Sequence, residues 1–350
     1  MKYPLTDNQI QKARMYPASF LGSADIRGVY QLIFSFVKEL IDKSRKTDVF
    51  IEFHLDRCGT IRLMCDFPNG LKDNFGICVI EALSCNFDLQ MEQDSFKLQF
   101  QPDKSVISYD EIEYHNLLRH FTELAHLNGN IKILLSDHEN KNVLQFSQGL
   151  ETMLMEGVYD VFLCERKPIN ICFSKENIEV SVSMIYAYSN DVTLSYVNHN
   201  RTHDGGAHVD GLYDGLQCAL QEYIRTNALD FDVVKDHPIF FLCESLDGKP
   251  YCFDEKAKIL RADVAVDLNF VISITVNHPE WEGSVKRKLL NEEVYSVVKD
   301  GIVENLKAIL DLDPSFFYSS RVLQKSELRK IESHSNSFST YISQKHQVSE

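Results

Sequence analysis

Hydrophobic residues recur along this chain at two different periods, and the change of period predicts the elements. Spacings of three and four residues predict amphipathic helices over residues 25–45, 109–127 and about 285–311. A short helix is predicted near 78–83, and a helical segment is predicted over 209–227. Short apolar runs, alternating or continuous, predict strands. The predicted strands cover residues 49–55, 60–65, 88–92, 96–100, 169–174, 178–188, 191–197, 239–243 and 262–276.

The links between these runs carry turn and cap chemistry. Asp56 to Gly59 predicts a hairpin turn, because Asp and Gly tolerate the dihedral angles that turns need. Gly129 predicts a left-handed cap at the end of the second helix. Pro314 predicts the end of the long helix, since proline cannot continue its hydrogen bonds. Residues 326–350 are polar and predict a disordered tail.

Composition restricts the function classes. The 350 residues suggest two domains, and the 44% of apolar residues is typical of a globular chain. A net charge of −15 opposes tight DNA binding by the isolated chain. No apolar run is long enough for a membrane span, and the N-terminus lacks the pattern of a signal peptide.

The nine cysteines include no C-x-x-C pair, so they predict neither a disulfide framework nor a zinc ribbon. We therefore expect a reducing, cytoplasmic location. Four of them lie in or beside apolar stretches and are interpreted as small core residues rather than reactive thiols. These are Cys58, Cys65, Cys78 and Cys85.

The segment from Tyr196 to Leu212 is the most informative in the sequence. His203, Asp204 and His208 are residue types that bind divalent metals. However, the paired glycines between them give no rigid ligand spacing, and a further ligand is missing. A tight turn between a strand and the start of a helix is the favoured interpretation, and no metal is predicted.

This segment resembles the S-F-V-N-x-I-x-T-x-E-G-G-T-H-x-x-G-F signature of the transducer domain in bacterial type II topoisomerases. That domain belongs to the ATPase half of DNA gyrase B and of the corresponding protein of topoisomerase IV. Asp204 stands where the family has glutamate. The matching positions are Asn198, Thr202, Gly205, Gly206, His208 and Gly211.

Other stretches resemble the same family in order along the chain: residues 14–23, 27–42, 112–128 and 279–294. The resemblance runs from residue 14 to about 325 and is strongest in the second half. It implies an α+β fold with a GHKL-like α/β sandwich, lid deleted, over residues 1–156. A transducer similar to ribosomal protein S5 domain 2 is implied over 157–325. The motifs of the cleavage (TOPRIM) domain are not found in the sequence.

The resemblance also implies where a nucleotide site would lie. The family's general base, a glutamate on the first helix, aligns with Ser35. Its Mg²⁺-binding asparagine aligns with Glu39. The aspartate that accepts a hydrogen bond from adenine aligns with Cys65, with Asp66 one place away.

Further nucleotide positions are altered as well. The glycine loop that cradles phosphate retains only Gly76, and the family's threonine near adenine aligns with Phe96. The long lid is reduced to residues 71–73. Lys286 alone is plainly retained, at the position of the transducer lysine that reaches the γ-phosphate. We therefore expect a degenerate site, with neither ATP nor Mg²⁺ as cofactor.

Two hypotheses of function follow. The first is a gyrase B-like pseudo-ATPase that acts as a non-catalytic interaction or regulatory protein. Its expected partners are gyrase or topoisomerase IV subunits, or a protein encoded beside it, and any homodimer should form without nucleotide. The second is the ATP-binding or ATPase module of a split type II topoisomerase, for which ATP and Mg²⁺ would be cofactors. A stoichiometric ATP titration separates the two.

Overall fold

The computed structural model describes residues 7–44, 48–67, 71, 75–158, 167–187, 192–227, 261–265, 267–283 and 286–312. The chain divides into two compact units between Gly149 and Leu150. The boundary predicted at 156/157 stays a prediction. The predicted strand 239–243 and the predicted tail 326–350 lie outside the described residues.

The described part of the first unit combines five helices with one six-stranded sheet. Its helices are α1 (Asp7–Met15), α2 (Ala18–Leu21), α3 (Ile26–Ser44), α4 (Phe75–Ala82) and α5 (Tyr114–Leu127). Its strands are β1 (Val49–Leu55), β2 (Ile61–Cys65), β3 (Ser84–Met91), β4 (Phe96–Pro102), β5 (Ile131–Ser136) and β6 (Lys141–Leu144).

The sheet of the first unit has the order β3-β4-β2-β1-β5-β6. β1 and β5 are parallel, and the other neighbours are antiparallel. Alternate residues of β1 are buried, as an amphipathic strand requires. Phe53 on β1 makes an edge-to-face contact with Phe121 on α5, at 5.1 Å between ring centroids. The core therefore lies between the sheet and its helices.

The second unit contains α6 (Gly149–Gly157), which begins at the unit boundary, and a five-stranded sheet. The remaining elements are β7 (Ile169–Lys175), β8 (Ile178–Tyr186), β9 (Thr193–Val197), β10 (Asn200–Arg201), α7 (Ala207–Asn227), α8 (Arg261–Ala265), β11 (Leu268–Thr275) and α9 (Glu292–Leu312). The strand order is β10-β9-β11-β8-β7, with β9 and β11 parallel.

Helices α7 and α9 approach each other closely through two glycines. A Cβ built on Gly211 would lie 2.7 Å from the carbonyl oxygen of Tyr295, and one on Gly215 would lie 2.8 Å from that of Lys299. These distances are too short for any side chain. The spacing of four residues places both glycines on one face of α7, so the two backbones meet over a full turn.

One predicted helix cap and some predicted element boundaries are wrong. α5 begins at Tyr114 rather than at residue 109, and it ends at Leu127 as predicted but without a left-handed glycine: Asn128 has φ −137°, and its side-chain Nδ2 donates to the Leu124 carbonyl at 2.8 Å. The predicted strand 262–276 begins only at Leu268, because α8 precedes it and Asp267 at φ 59° breaks the chain direction. The long helix begins at Glu292 rather than near residue 285, because the preceding residues form a loop that pairs with other segments.

None of the helices in the described ranges is both long and apolar enough to cross a membrane.

Candidate functional site

Ser35, the position aligned with the family's general base, is exposed on α3. Its hydroxyl oxygen lies 2.8 Å from Nε2 of Gln31, one helical turn earlier, and accepts that hydrogen bond. A serine hydroxyl stays protonated at neutral pH and cannot take a proton from water unaided. The position therefore supplies no base.

Glu39, one turn after Ser35, contacts the start of α4. Its Oε1 pairs with the Lys43 ammonium at 2.9 Å, and its Oε2 lies 3.4 Å from the backbone nitrogen of Gly76. Gly76 lies in the first turn of α4, where unpaired N–H groups and the helix dipole attract negative charge. A carboxylate of the chain itself thus lies at the position where the resemblance places phosphate.

Cys65 and Phe96, the two positions aligned with adenine contacts, lie opposite each other. They are direct partners in the pairing of β2 with β4, and both are fully buried. Burial raises the pKa of the Cys65 thiol to about 12, so the thiol is neutral at physiological pH. A neutral thiol and a phenyl ring offer no strong acceptor for an adenine amine.

Asp66, the neighbouring carboxylate, is exposed and already engaged. Its Oδ1 accepts a hydrogen bond of 2.7 Å from the backbone nitrogen of Phe50, which extends the pairing of β1 with β2. Because Cys65 is buried and Asp66 is exposed, the two side chains cannot exchange roles without a change of strand register.

Two aromatic residues, Phe67 and Phe75, lie in the stretches that resemble the family's glycine-containing nucleotide motifs, and they differ in exposure. Phe67 is partly buried against the core of the first unit. Phe75 begins α4 and is 56% exposed. Of the shortened lid, Leu71 is buried, and the two residues that follow it lie outside the described ranges.

In the second unit, Asn198 links two neighbouring strands. It adopts φ 46°, just after β9. Its Oδ1 accepts a hydrogen bond from the Val276 nitrogen at 2.9 Å, and its Nδ2 donates to the Val276 carbonyl at 2.7 Å. A single asparagine side chain thus reproduces the two hydrogen bonds of a strand pair and fixes the end of β11.

Thr202 and His208 form a buried polar group with Ser195. The Thr202 hydroxyl donates to the Ser195 carbonyl at 3.1 Å, and its oxygen lies 2.6 Å from the Ser195 hydroxyl and 3.2 Å from His208 Nε2. Burial lowers the pKa of His208 to about 4, so the ring is neutral. This histidine orders the start of α7.

The glycine pair of the same segment lies against the loop that contains Lys286. Gly206 has φ 125° and pairs with Leu289; a Cβ at this position would lie 2.3 Å from the Leu289 carbonyl oxygen. The Leu289 nitrogen donates to the Gly205 carbonyl at 3.3 Å, and the Ala207 nitrogen donates to the Leu289 carbonyl at 2.9 Å. The glycines are therefore required by close backbone approach.

Residues 286–288 lie on this loop, not on the predicted helix. Arg287 pairs with Asp204, with Nε 3.0 Å from Oδ2, and Lys288 pairs with Glu282 at 3.4 Å. Lys286 is exposed at φ 56°, an uncommon conformation for a long side chain. Of this basic cluster, only Lys286 has no ion pair within the part of the chain described.

The residues considered as metal ligands have separate environments. His208 is completely buried, whereas His203 and Asp204 are exposed, and Asp204 faces Arg287. No group of three or more metal-binding side chains occurs among the described residues.

The cysteine interpretation is right for two residues and wrong for two. Cys65 and Cys78 are buried, but Cys58 and Cys85 are exposed. Cys58 lies in the β1–β2 turn and Cys85 lies on the edge strand β3, so an apolar neighbourhood in sequence did not imply burial.

Sequence reasoning missed three contacts: Glu39 with Gly76, Asp204 with Arg287, and Gly206 with Leu289. Asp204 and Arg287 are separated by 83 positions, and single-sequence periodicity carries no information over that distance. The paired glycines did indicate a tight backbone position, but they did not identify the segment that packs there.

Two desolvated histidines predict a pH dependence of stability. Burial lowers the pKa of His120, which stacks on Phe34, to about 4, and the nearby charges of Lys38 and Arg119 add to this shift. Burial likewise lowers the pKa of His208 to about 4. Both folded-state values lie below the ordinary 6.5, so the unfolded chain takes up protons first as pH falls. Stability should be full above about pH 6.5 and decline towards pH 4, by about 1.4 kcal/mol per pH unit for each histidine.

Urea unfolding between pH 7.5 and 4.5 measures this dependence. His120→Gln should flatten the profile, whereas His115→Gln, an exposed position on the same helix, should leave it unchanged. An identical slope in wild type and His120→Gln would contradict the assignment for His120.

Comparisons with known proteins agree with this architecture. The sequence model of the family described as DNA gyrase B matches residues 137–239 and 243–335, more than half of the chain. The chain therefore belongs to the DNA gyrase B family.

The chain is 31% identical over 229 residues to DNA gyrase B of Cytophaga aurantiaca, and this match covers 62% of this chain and 43% of that protein. It is 25% identical to DNA gyrase B of Clostridium acetobutylicum over 228 residues, which cover 64% of this chain and 32% of that protein. The chain thus spans less than half of these relatives.

Solved structures show the same fold. The 43K ATPase domain of Thermus thermophilus gyrase B, crystallised with an aminocoumarin, gives a TM-score of 0.68 at 19% identity, with 92% of this chain and 94% of that chain covered. The topoisomerase IV ATP-binding domain of Francisella tularensis also gives a TM-score of 0.68 at 19% identity, with 92% of this chain and 98% of that chain covered. The predicted fold class, a GHKL-like sandwich followed by a transducer domain, is confirmed.

Proposed function

We propose that this gyrase B-like chain is a pseudo-ATPase that acts as a non-catalytic interaction or regulatory protein. The observation that carries the proposal is the Glu39 carboxylate beside the Gly76 nitrogen, at the N-terminus of α4. This carboxylate satisfies the N–H group that a phosphate would use. Its Oε2 also places negative charge there, which opposes the strongly anionic ATP phosphates even though the Lys43 ammonium offsets part of that charge.

The other aligned positions support the same conclusion. The exposed Ser35 provides no general base, and the buried pair of Cys65 and Phe96 provides no acceptor for adenine. Base, metal ligand and adenine acceptor contribute together to phosphoryl transfer, and loss of the base alone costs orders of magnitude in rate. No resident ATP or Mg²⁺ is therefore proposed.

The chain would act through the surfaces of its fold. Its proposed partners are subunits of gyrase or topoisomerase IV, or a protein encoded beside it.

Since nucleotide plays no part, a homodimer should form equally with and without an ATP analogue. The charge of −15 predicts no stable complex between the isolated chain and DNA at about 150 mM salt.

One observation favours a second candidate, the ATPase module of a split type II topoisomerase. Lys286 is exposed on a loop whose backbone is fixed against Gly205 and Gly206. A fixed loop with an exposed ammonium is what a γ-phosphate contact requires. In this alternative, cleavage and metal binding would belong to other chains.

A calorimetric titration with Mg²⁺-ATP tests the two candidates. The wild-type chain should show no saturable binding up to about 1 mM nucleotide, which corresponds to less than about 4 kcal/mol of binding free energy. A coupled assay should give equal background rates for wild type and Lys286→Ala. Stoichiometric binding, or turnover that disappears in Lys286→Ala, would contradict the proposal and favour the split-topoisomerase alternative.

The role of Glu39 has its own matched pair of variants. Glu39→Gln removes the negative charge beside Gly76 and should make nucleotide binding detectable in the same titration, by raising the affinity roughly tenfold above the limit set by wild type. Glu81→Gln makes the same charge change at an exposed position of α4 and should have no effect. Equal affinities of the two variants would show that the Glu39 carboxylate does not exclude nucleotide.

A further inference from the structure

A groove of about 610 Å³ opens in the first unit, away from the nucleotide positions. Its walls are the β1–β2 turn, the segment that leads into α5, and the β5–β6 turn. The β1–β2 turn precedes Ile61, whereas Cys65 ends the same strand, roughly 13 Å further along at strand rise. The groove is therefore separate from the aligned nucleotide residues.

The charge of the groove is predominantly negative. The arginine and lysine side chains in its lining are Arg57 and Lys104, and two histidines, His115 and His138, line it as well. Lys104 is held in place: its Nζ donates to the Asp110 carbonyl at 2.7 Å and lies 5.0 Å from the centre of the Tyr109 ring. The acidic side chains outnumber the basic ones and are Asp56, Asp110, Glu111, Glu113 and Asp137.

The walls are preformed. The Asp56 carboxylate accepts hydrogen bonds from the nitrogens of Cys58 and Thr60, at 2.9 and 2.8 Å. Asp137 orders the opposite turn by accepting from the Glu139 nitrogen at 2.8 Å. Both turns are thus fixed by their own aspartates, and a ligand would meet a shaped surface without first ordering it.

Apolar side chains also line the groove, and they are less exposed than the carboxylates of Asp110, Glu111 and Glu113, so we infer an apolar floor below an acidic rim. The floor consists of the buried Leu55 and Ile112 and the partly buried Leu118. Lysine and arginine side chains combine an aliphatic stem with a charged head, so they match a groove that is apolar below and acidic at its rim. Phosphate or carboxylate ligands would be repelled. The volume of the groove lies in the range of ordinary ligand pockets.

We propose that this groove binds an extended, lysine- or arginine-bearing segment of a partner protein. The stems of the basic residues would lie on the apolar floor, and the charged heads would pair with Asp110, Glu111 and Glu113. The inference rests on the proposed function only in that the chain acts by binding a protein. It does not depend on whether the nucleotide positions are degenerate.

Fluorescence anisotropy with a labelled peptide of alternating glycine and lysine, carrying four lysines, tests the proposal on the full chain. At about 50 mM salt the peptide should bind saturably, because screening is weak there. The variant Asp110→Asn/Glu111→Gln/Glu113→Gln should weaken binding at least tenfold. The same peptide with acetylated lysines should not bind.

A matched variant separates the groove from the overall charge. Glu81→Gln/Asp88→Asn/Asp94→Asn removes the same number of charges from exposed positions of the first unit outside the groove. It should change the dissociation constant by less than twofold. Equal weakening by the two variants, or no saturable binding by wild type, would overturn the proposal. The ATP titration remains independent of either outcome.

Discussion

Gly206→Ala is expected to destabilise the second unit by about 3 kcal/mol or more. Gly206 has φ 125°, a backbone conformation that residues with a Cβ rarely adopt. In addition, the new methyl carbon would lie 2.3 and 2.5 Å from backbone atoms of Leu289. Backbone atoms cannot move aside as a flexible side chain can, so the loop would have to separate from the start of α7.

The fluorescence of Trp281 reports this loss directly. It is the only tryptophan of the chain, and it pairs with Leu289 from the other side. Gly205→Ala is the matched control, because its added carbon would make ordinary contacts of 3.5 Å with Val209. That control should cost only about 1–2 kcal/mol, the penalty of the left-handed conformation. Equal urea midpoints for the two variants would contradict the close approach of Gly206 and Leu289.

Phe121→Ala is expected to destabilise the first unit by about 3–5 kcal/mol. The ring is fully buried and makes edge-to-face contacts with Phe34 and Phe53 at 5.7 and 5.1 Å. Truncation removes the ring from α5 and leaves a cavity between α3, α5 and the sheet. Part of this cost is the loss of the aromatic pairs themselves.

Pulsed thiol labelling of Cys65 isolates the effect on this unit, since that thiol is fully buried and reacts only after unfolding. The urea concentration at which the Cys65 peptide becomes labelled should fall strongly in Phe121→Ala. In Tyr16→Ala, where the side chain is 60% exposed, it should stay close to wild type. A shift in Phe121→Ala no larger than that of Tyr16→Ala would show that the ring is not part of the core.

Sequence patterns predicted the elements where local periodicity decides the structure. The apolar residues of α3 recur at three and four positions, and Val29, Leu32 and Phe36 are all buried. Leu289 shows why the start of α9 was misplaced. It continues the helical pattern in sequence, yet its burial results from backbone pairing with Gly206, a residue 83 positions earlier.

The candidate site was predictable only as a set of replaced residue types. Alignment to the family placed Cys65 and Phe96 at adenine contacts, and the structure does bring these two residues opposite each other. The position of the Glu39 carboxylate was not predictable, because it depends on how α3 and α4 pack. The groove also required the fold, since its three walls are far apart in sequence.

The contact of α7 with α9 through Gly211 and Gly215 has a mechanical consequence. Because the two backbones meet over a turn, the helices cannot slide past each other without a steric clash. We therefore expect α7 and α9 to move together as one rigid pair. The loop of Lys286 is attached to both helices, to α7 through Gly206 and to α9 through the chain itself. A force applied to that loop would therefore reach both helices at once and turn the pair as a unit.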